Sequence, residues 1–534
     1  MSAMTLILSS SIIFIIAYFT YGSWLSKTWG VDVNKKTPAH VLNDGVDYVP
    51  AKAPVLLGHH FASIAGAGPI VGPIAASIFG WVPVMIWIII GGIFFGGVQD
   101  FGSLFASLRH GGKSIGEVIE SNMGSTGKKL FSSFAWLTLL LVIAAFVNIV
   151  ANTFVSVPQA ASASMFFIIL AVLFGYFVYR RGAPLGISTV IGVALLFLCI
   201  VLGNMFPIVL SKNIWIAILL LYILIASVTP VWILLQPRDY LNSFLLYVMI
   251  IGAVLGLVIS RPKMILPPIT SSVVNGTPLF PMLFVMVACG AISGFHSLVG
   301  SGTSSKQLDS EKDAKLVGYG GMLIECVLAV IAIITAGYIG VDKFKELAAA
   351  GGPVNVFSDG IGNFMTSFNI PFTVGKSFVA LSISAFALTS LDTGTRLGRF
   401  IFQEFFQTEK ALEQGKENIL ANRYVATIIT VFLGGWLAMG SWTAIWPVFG
   451  SANQLLAALA LMAIGVWLKN SNKNYKMFII PMIFMFTVTI FALGILIKQN
   501  FMAQKYILVV FPVFLLLLSF ILAYQAIKKF TSKA

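Results

Sequence analysis

Few side chains in this sequence can carry charge inside its apolar runs, so those that do are informative. His59 and His60 stand in Gly58-His59-His60-Phe61-Ala62-Ser63-Ile64-Ala65-Gly66-Ala67-Gly68-Pro69-Ile70-Val71-Gly72-Pro73, and His296 stands in the stretch from Gly290 to Ser305. Asp100 follows Gln99 in one apolar run, Glu325 lies in another, and Asp392 sits in Thr389-Ser390-Leu391-Asp392-Thr393-Gly394-Thr395. An ionised side chain in hydrocarbon costs about 2.5–3.5 kcal/mol on insertion scales, so each is expected to face a partner, a cavity or a pathway. Asp100, Asp392 and their hydroxyl neighbours Thr389 and Ser390 can take a proton or coordinate Na⁺. His59, His60 and His296 can relay protons, since imidazole titrates near neutral pH. They could also bind a metal or haem iron, although no Cys or carboxylate stands at metal-motif spacing beside them. Blander alternatives stand next to these. A membrane His is commonly a hydrogen-bonded core residue, Glu325 suits a protonated packing role, and Asp392 could pair at the interface with Arg396 or Arg399.

The two His-bearing stretches are poor helices. Pro69 and Pro73 lack an N–H donor, and the glycines around them weaken a helix further. Backbone groups freed at membrane depth are tolerated only where protein or a watery cavity surrounds them. Such broken spans form substrate sites, with the positive N-terminus of a half-helix aimed at an anion. The Gly66, Ala67, Gly68 and Pro69 break would thus offer backbone N–H groups to a substrate carboxylate. Ser293, Gly294, Ser297, Ser301 and Thr303 would line the opposite side. A tight crossing through small residues is the competing explanation. Two lesser motifs are Gln236-Pro237-Arg238-Asp239-Tyr240, read as closing the seventh span with an interfacial Arg–Asp pair, and Ile445–Gln454, where Asn453 and Gln454 face the pathway or bind helices together.

The elements that must position these residues are membrane helices. The chain is 58% hydrophobic and 10% charged over 534 residues, against about 25% charge in soluble proteins. About fifteen spans are expected, near 4–25, 53–79, 81–108, 130–156, 162–180, 184–206, 213–235, 241–260, 281–304, 316–341, 371–395, 422–440, 444–468, 475–497 and 504–527. Continuous apolar runs exclude a β-barrel. Of 33 Lys and Arg, 25 fall on odd-numbered connections and the C-terminus, seven on even-numbered ones, and Lys376 inside a span. That asymmetry predicts an outside N-terminus and a cytoplasmic C-terminus. The net charge of +14 is then a matter of topology and lipid headgroups rather than nucleic acid. Met4–Leu25 has no basic segment before it and reads as a retained helix. Cys199, Cys289 and Cys326 lie in apolar runs as buried thiols. The longest polar connections, Ser26–Lys52, Arg109–Lys129, Asp342–Ile370 and Arg396–Asn422, are too short for a soluble domain, and the third reads as an external loop. No phosphate-binding Gly-rich signature is present, so ATP-driven pumping by this chain is not expected.

At these residues the sequence resembles the carbon starvation protein A (CstA) family of bacterial inner-membrane transporters. The matching stretches are Gly58–Pro73, Gly97-Val98-Gln99-Asp100-Phe101, Ser114-Ile115-Gly116-Glu117, Gln236–Tyr240, Ala288–Thr303, Asp392–Arg399 and Trp446–Gln454. The chain is shorter than the long members, so peripheral or C-terminal helices are expected to be missing. The resemblance implies uptake of small carbon sources, namely peptides or pyruvate, coupled to protons, across the bacterial cytoplasmic membrane. It also implies kinship with the amino acid–polyamine–organocation superfamily and a LeuT-like inverted-repeat core. On that pattern the first repeat with extra helices covers 53–260, the second 281–468, and peripheral helices 475–527, all in one membrane domain.

The expectation is therefore an all-α integral membrane protein acting as a secondary transporter by alternating access, not an enzyme. Its partners would be a small-molecule substrate and lipids. Its coupling ion would be a proton or Na⁺, through Asp100, Asp392, His59, His60 and His296, with no resident cofactor. The rivals are a membrane metal or haem redox protein using the histidines, and an uncoupled channel or receptor.

Overall fold

A computed structural model describes residues 2–45, 47–406, 418–440 and 442–531. It is helical almost throughout; the described strand is confined to the small hairpin Val273–Val274 with Thr277–Pro278. Eleven helices are long and apolar enough to cross a membrane, twelve if one bent pair counts as a span. In chain order the helices are α1 (Ala3–Trp29), the bent pair α2 (Ala53–Ile64) and α3 (Gly68–Ala76), α4 (Trp81–Arg109), α5 (Ile115–Met123), α6 (Ser125–Ser156), α7 (Pro158–Arg180), α8 (Leu185–Met205), α9 (Lys212–Val228) and α10 (Leu235–Ser260). Then follow the short pieces α11 (Leu279–Met286), α12 (Ala288–Ala291) and α13 (Gly294–Gly302). The last are α14 (Glu311–Tyr338), α15 (Val341–Met365), α16 (Phe372–Phe406), α17 (Arg423–Ala438), α18 (Ile445–Asn470), α19 (Lys476–Met502) and α20 (Leu508–Lys529). Of the fifteen expected spans, the seventh and twelfth are the shorter helices α9 and α17, and the ninth is the fragmented α11–α13.

Burial sorts the helices into layers. The apolar parts of α6, α14 and α18 are almost wholly covered by protein, whereas α8 and α20 expose most of their apolar side chains. In lipid that exposure costs nothing, because acyl chains are as apolar as Leu. The covered helices form the core, and α2–α3 and α11–α13 run through it. There α2 packs against α13, and α3 against α12 and α14. Each half of one broken segment thus meets one half of the other.

Three connections differ from expectation. Asp342–Ile370 is not a loop but α15, with Gly351 and Gly352 out of helical geometry and Gly352 at φ 69°. Its charged first half and Gly-Gly-Pro centre read as loop, but Val356, Phe357, Ile361 and Phe364 recur at helical spacing and are buried against the core. Arg109–Lys129 contains α5, packed on α6. Gln236–Tyr240 does not close the seventh span; α9 ends at Val228, and this motif opens α10. Pro237 is tolerated there because first-turn N–H groups have no intrahelical acceptor. Finally, α16 runs past residue 395 to Phe406, so Asp392 is within a helix rather than at its end. Residues 407–417 of the following connection lie outside the described residues.

Candidate functional site

The first break is a change of axis by 42° between α2 and α3, with Pro69 in the first turn of α3. Its free carbonyls are partly met from α16: Ser390 Oγ donates to the Ser63 carbonyl at 2.9 Å. A Cβ on Gly66 would lie 2.6 Å from Ser390 Oγ, and one on Gly68 would lie 2.5 Å from Cys289 Cβ. The break and the tight crossing are therefore both present, and the glycines serve the crossing.

The second break is an extended step between two short helices. Ile292 (φ −158°) and Ser293 (φ −138°) are extended between α12 and α13. Neighbouring helices hold this extended step. Asn453 Oδ1 accepts the Phe295 N–H at 2.8 Å and Asn453 Nδ2 donates to Ser293 Oγ at 3.0 Å. Gln99 Nε2 donates to the Ser293 carbonyl at 2.6 Å. Asn453, expected at the pathway, thus caps α13. Gly294 is pressed against the Asn453 carbonyl. Ser297 and Ser301 donate to the Gly294 and Ser297 carbonyls at 2.6 and 2.7 Å, and Thr303 ends the helix, nearly buried. Gln454 donates to the Phe284 carbonyl.

Two buried ionic groups flank the breaks. In the first, His296 Nδ1 is 2.9 Å from Asp100 Oδ2, and His296 Nε2 is 3.4 Å from Glu325 Oε2; all three side chains are fully buried. Asp100 Oδ1 and both Glu325 oxygens have no hydrogen-bond partner. Wide π turns at Gly92–Gly96 and Lys315–Gly320 precede Asp100 and Glu325 on their helices, a distortion frequent at functional sites. His60 Nδ1 lies 2.8 Å from Ser304 Oγ.

In the second group Arg238 is central. It donates to Asp239 Oδ1 at 2.7 Å through Nη2 and to Tyr222 OH at 2.5 Å through Nη1, and it pairs with Asp392. Tyr222 OH donates to Asp392 Oδ2 at 2.7 Å, and His59 Nδ1 lies 3.0 Å from Asp239 Oδ2. Asp392 is therefore not an interfacial partner of Arg396, which instead donates to the Ala226 and Thr229 carbonyls. The Arg238–Asp239 pair is buried, not interfacial. Thr389 accepts from Asn242 at 3.5 Å and donates to the Ala385 carbonyl. Successive helical residues point about 100° apart, so His59 and His60 reach different neighbours from one helix.

On the opposite end of the first broken span a cavity of about 720 Å³ opens between α3, α6, α9, α15 and α16. Val71, Asn152, Thr153, Lys212, Ser358 and Lys376 are among its lining residues.

The family model for carbon starvation protein CstA matches residues 2–351 and 344–492. The chain belongs to the CstA family. The peptide transporter CstA of Bacillus subtilis is 31% identical, covering 99% of this chain and 97% of that protein. The Escherichia coli peptide transporter CstA is 32% identical over 89% of this chain and 78% of its own length. The pyruvate/proton symporter BtsT of Escherichia coli is 30% identical over 92% and 81%. Among solved structures, an Eremococcus coleocola manganese transporter shares the fold at TM-score 0.54 and 14% identity, covering 91% of this chain and 99% of that one. That likeness carries fold and no chemistry.

In this CstA-family chain, no group of three or more His, Cys, Asp or Glu side chains among the described residues is arranged to hold a metal ion. The candidate coupling residues divide: Asp100 and His296 come together, while Asp392 and His59 join through Arg238 and Asp239. Sequence reasoning left Tyr222 and Asp239 out of the site and Glu325 at its margin. The signal for Asp239 was available, since a charged pair in an otherwise apolar stretch is costly anywhere but in a network. Tyr222 gave none, being one aromatic in an apolar run.

Proposed function

We propose that this protein is a proton-coupled importer of small carboxylate-bearing carbon sources, peptides or pyruvate, in the bacterial cytoplasmic membrane. It works by alternating access on a LeuT-like inverted-repeat core, 53–260 against 281–468, with 475–527 peripheral and the N-terminus outside. The names of its relatives support the substrate class, and the name of BtsT supports proton coupling. The observation that carries the mechanism is the His296–Asp100–Glu325 group. It ties the second broken segment to α4, which packs against that segment, and to α14, which packs against both breaks.

The charge arithmetic explains why this group would hold a proton. With His296 protonated and both carboxylates ionised it carries one net negative charge, which burial penalises. One further proton makes it neutral, and that proton belongs to the group rather than to one residue. Release would follow when rearrangement of the broken segments admits water. The half-helix N-terminus at Gly68, with Gly66 and Ala67 before it, suits a substrate carboxylate, and Ser293 lies on the opposite side, where Asn453 already takes the Phe295 N–H. Accumulation of labelled pyruvate or alanyl-alanine in proteoliposomes under an imposed inward proton gradient tests this reading. Accumulation that collapses with a protonophore is expected; uptake that only equilibrates, indifferent to the gradient, would refute coupling.

A further inference from the structure

The cavity between α3, α6, α9, α15 and α16 is distinct from both ionic groups. Other hollows, around Phe486 and Phe520 and around Tyr18 and Ile324, are lined almost wholly by apolar side chains and suit acyl chains. This one is lined by Asn152, Thr153, Ser156 and Ser358, and by two lysines. Lys376 belongs to α16, where an ammonium in a membrane helix is costly unless it serves a partner or a pathway. Asp359, 3.5 Å away, is its ion-pair partner, yet the Lys376 side chain stays 30% exposed. Lys212, at the start of α9, has no carboxylate among the described residues within ion-pair distance. The lining therefore carries two positive charges, and Asp359 offsets one of them. Cationic walls in a concave, partly apolar site concentrate anions.

The cavity also leads somewhere. Val71, one turn beyond the first break, forms part of its wall, as do Gly351, Gly352 and Pro353 at the centre of α15. An occupant would sit against the outer half of the first broken span. At about 720 Å³ the space is within the range of small-ligand sites.

We infer that this cavity is an external capture site for carboxylates, in which Lys212 and Lys376 hold the anion before it reaches the first break. The identity of the ligand rests on the transporter reading above. A free monocarboxylate and a peptide C-terminus share the recognising chemistry, and the test separates them.

The direct test needs no turnover. Asn152 is exposed in the cavity wall, and the cysteines of the chain are buried. N152C should therefore react with a membrane-impermeant maleimide added from outside. At low ionic strength pyruvate or alanyl-alanine should slow labelling about two- to fivefold, the effect of a partly exposed ion pair, and the slowing should vanish in N152C/K212Q/K376Q. Protection by pyruvate alone assigns the site to small monocarboxylates; protection by both extends it to peptides. In transport, K212Q should raise KM by a similar factor with kcat unchanged, and the difference should fade at high salt. K376R should retain wild-type KM where K376Q does not. No protection by either ligand, or no labelling from outside, would overturn the inference. Protection in a protein that accumulates neither ligand would leave the capture site standing and remove the transporter reading.

Discussion

Arg238 is the residue whose loss should be felt most. It lies between Asp239 and Asp392, and all three side chains are buried. Removing it leaves two carboxylates facing each other without a counter-charge, which costs about 3–5 kcal/mol for a broken buried pair. R238Q should lower the unfolding midpoint in detergent sharply, and R238Q/D392N should recover much of the loss. Equal destabilisation in both variants would show that the charge network is not the cause. Asp100 and Glu325 should behave differently. D100N and E325Q keep size and remove a titratable site, so they should spare folding, measured by monodisperse elution, while abolishing gradient-driven accumulation. The carboxylates and histidines could be picked out from the sequence because charge is so scarce in it. Their partners could not, because the approaches of Tyr222 and Asp239 to Asp392 and His59 join residues far apart in the chain.

Among elements, the two broken segments decide the architecture, and their glycines show what holds them. A Cβ on Gly294 would strike backbone atoms of Asn453 and Ala457, which cannot rotate away, whereas one on Gly58 would meet the hydroxyl of Ser243, a side chain that can. G294A should therefore reduce folded yield severely, beyond the about 1–3 kcal/mol typical of overpacking, while G58A should be mild. Thermal stability of the two purified variants checks the order. The breaks themselves were legible because Pro and Gly act locally on the backbone. The helical course of α15 was not, since Gly351-Gly352-Pro353 and the flanking charges give a loop signal that the buried face of residues 356–365 outweighs. Gln236–Tyr240 failed for a related reason: a proline marks a helix boundary without saying on which side the helix lies.

For the whole molecule, hydropathy revealed the membrane character and the approximate places of the long apolar helices, because lipid imposes one rule on every span. What they left open was how spans assemble, which depends on packing between distant segments such as α2 with α13. The proposed orientation places Lys528 and Lys529 in the cytoplasm and Lys212 outside. The central claim is that substrate and proton cross together through the core that the two broken segments share. It is tested most directly by trapping a pH-sensitive dye inside proteoliposomes and adding pyruvate or alanyl-alanine outside. The account predicts substrate-dependent acidification of the interior with wild type and none with D100N or E325Q. Substrate entry without acidification, or acidification undiminished in both variants, would contradict it.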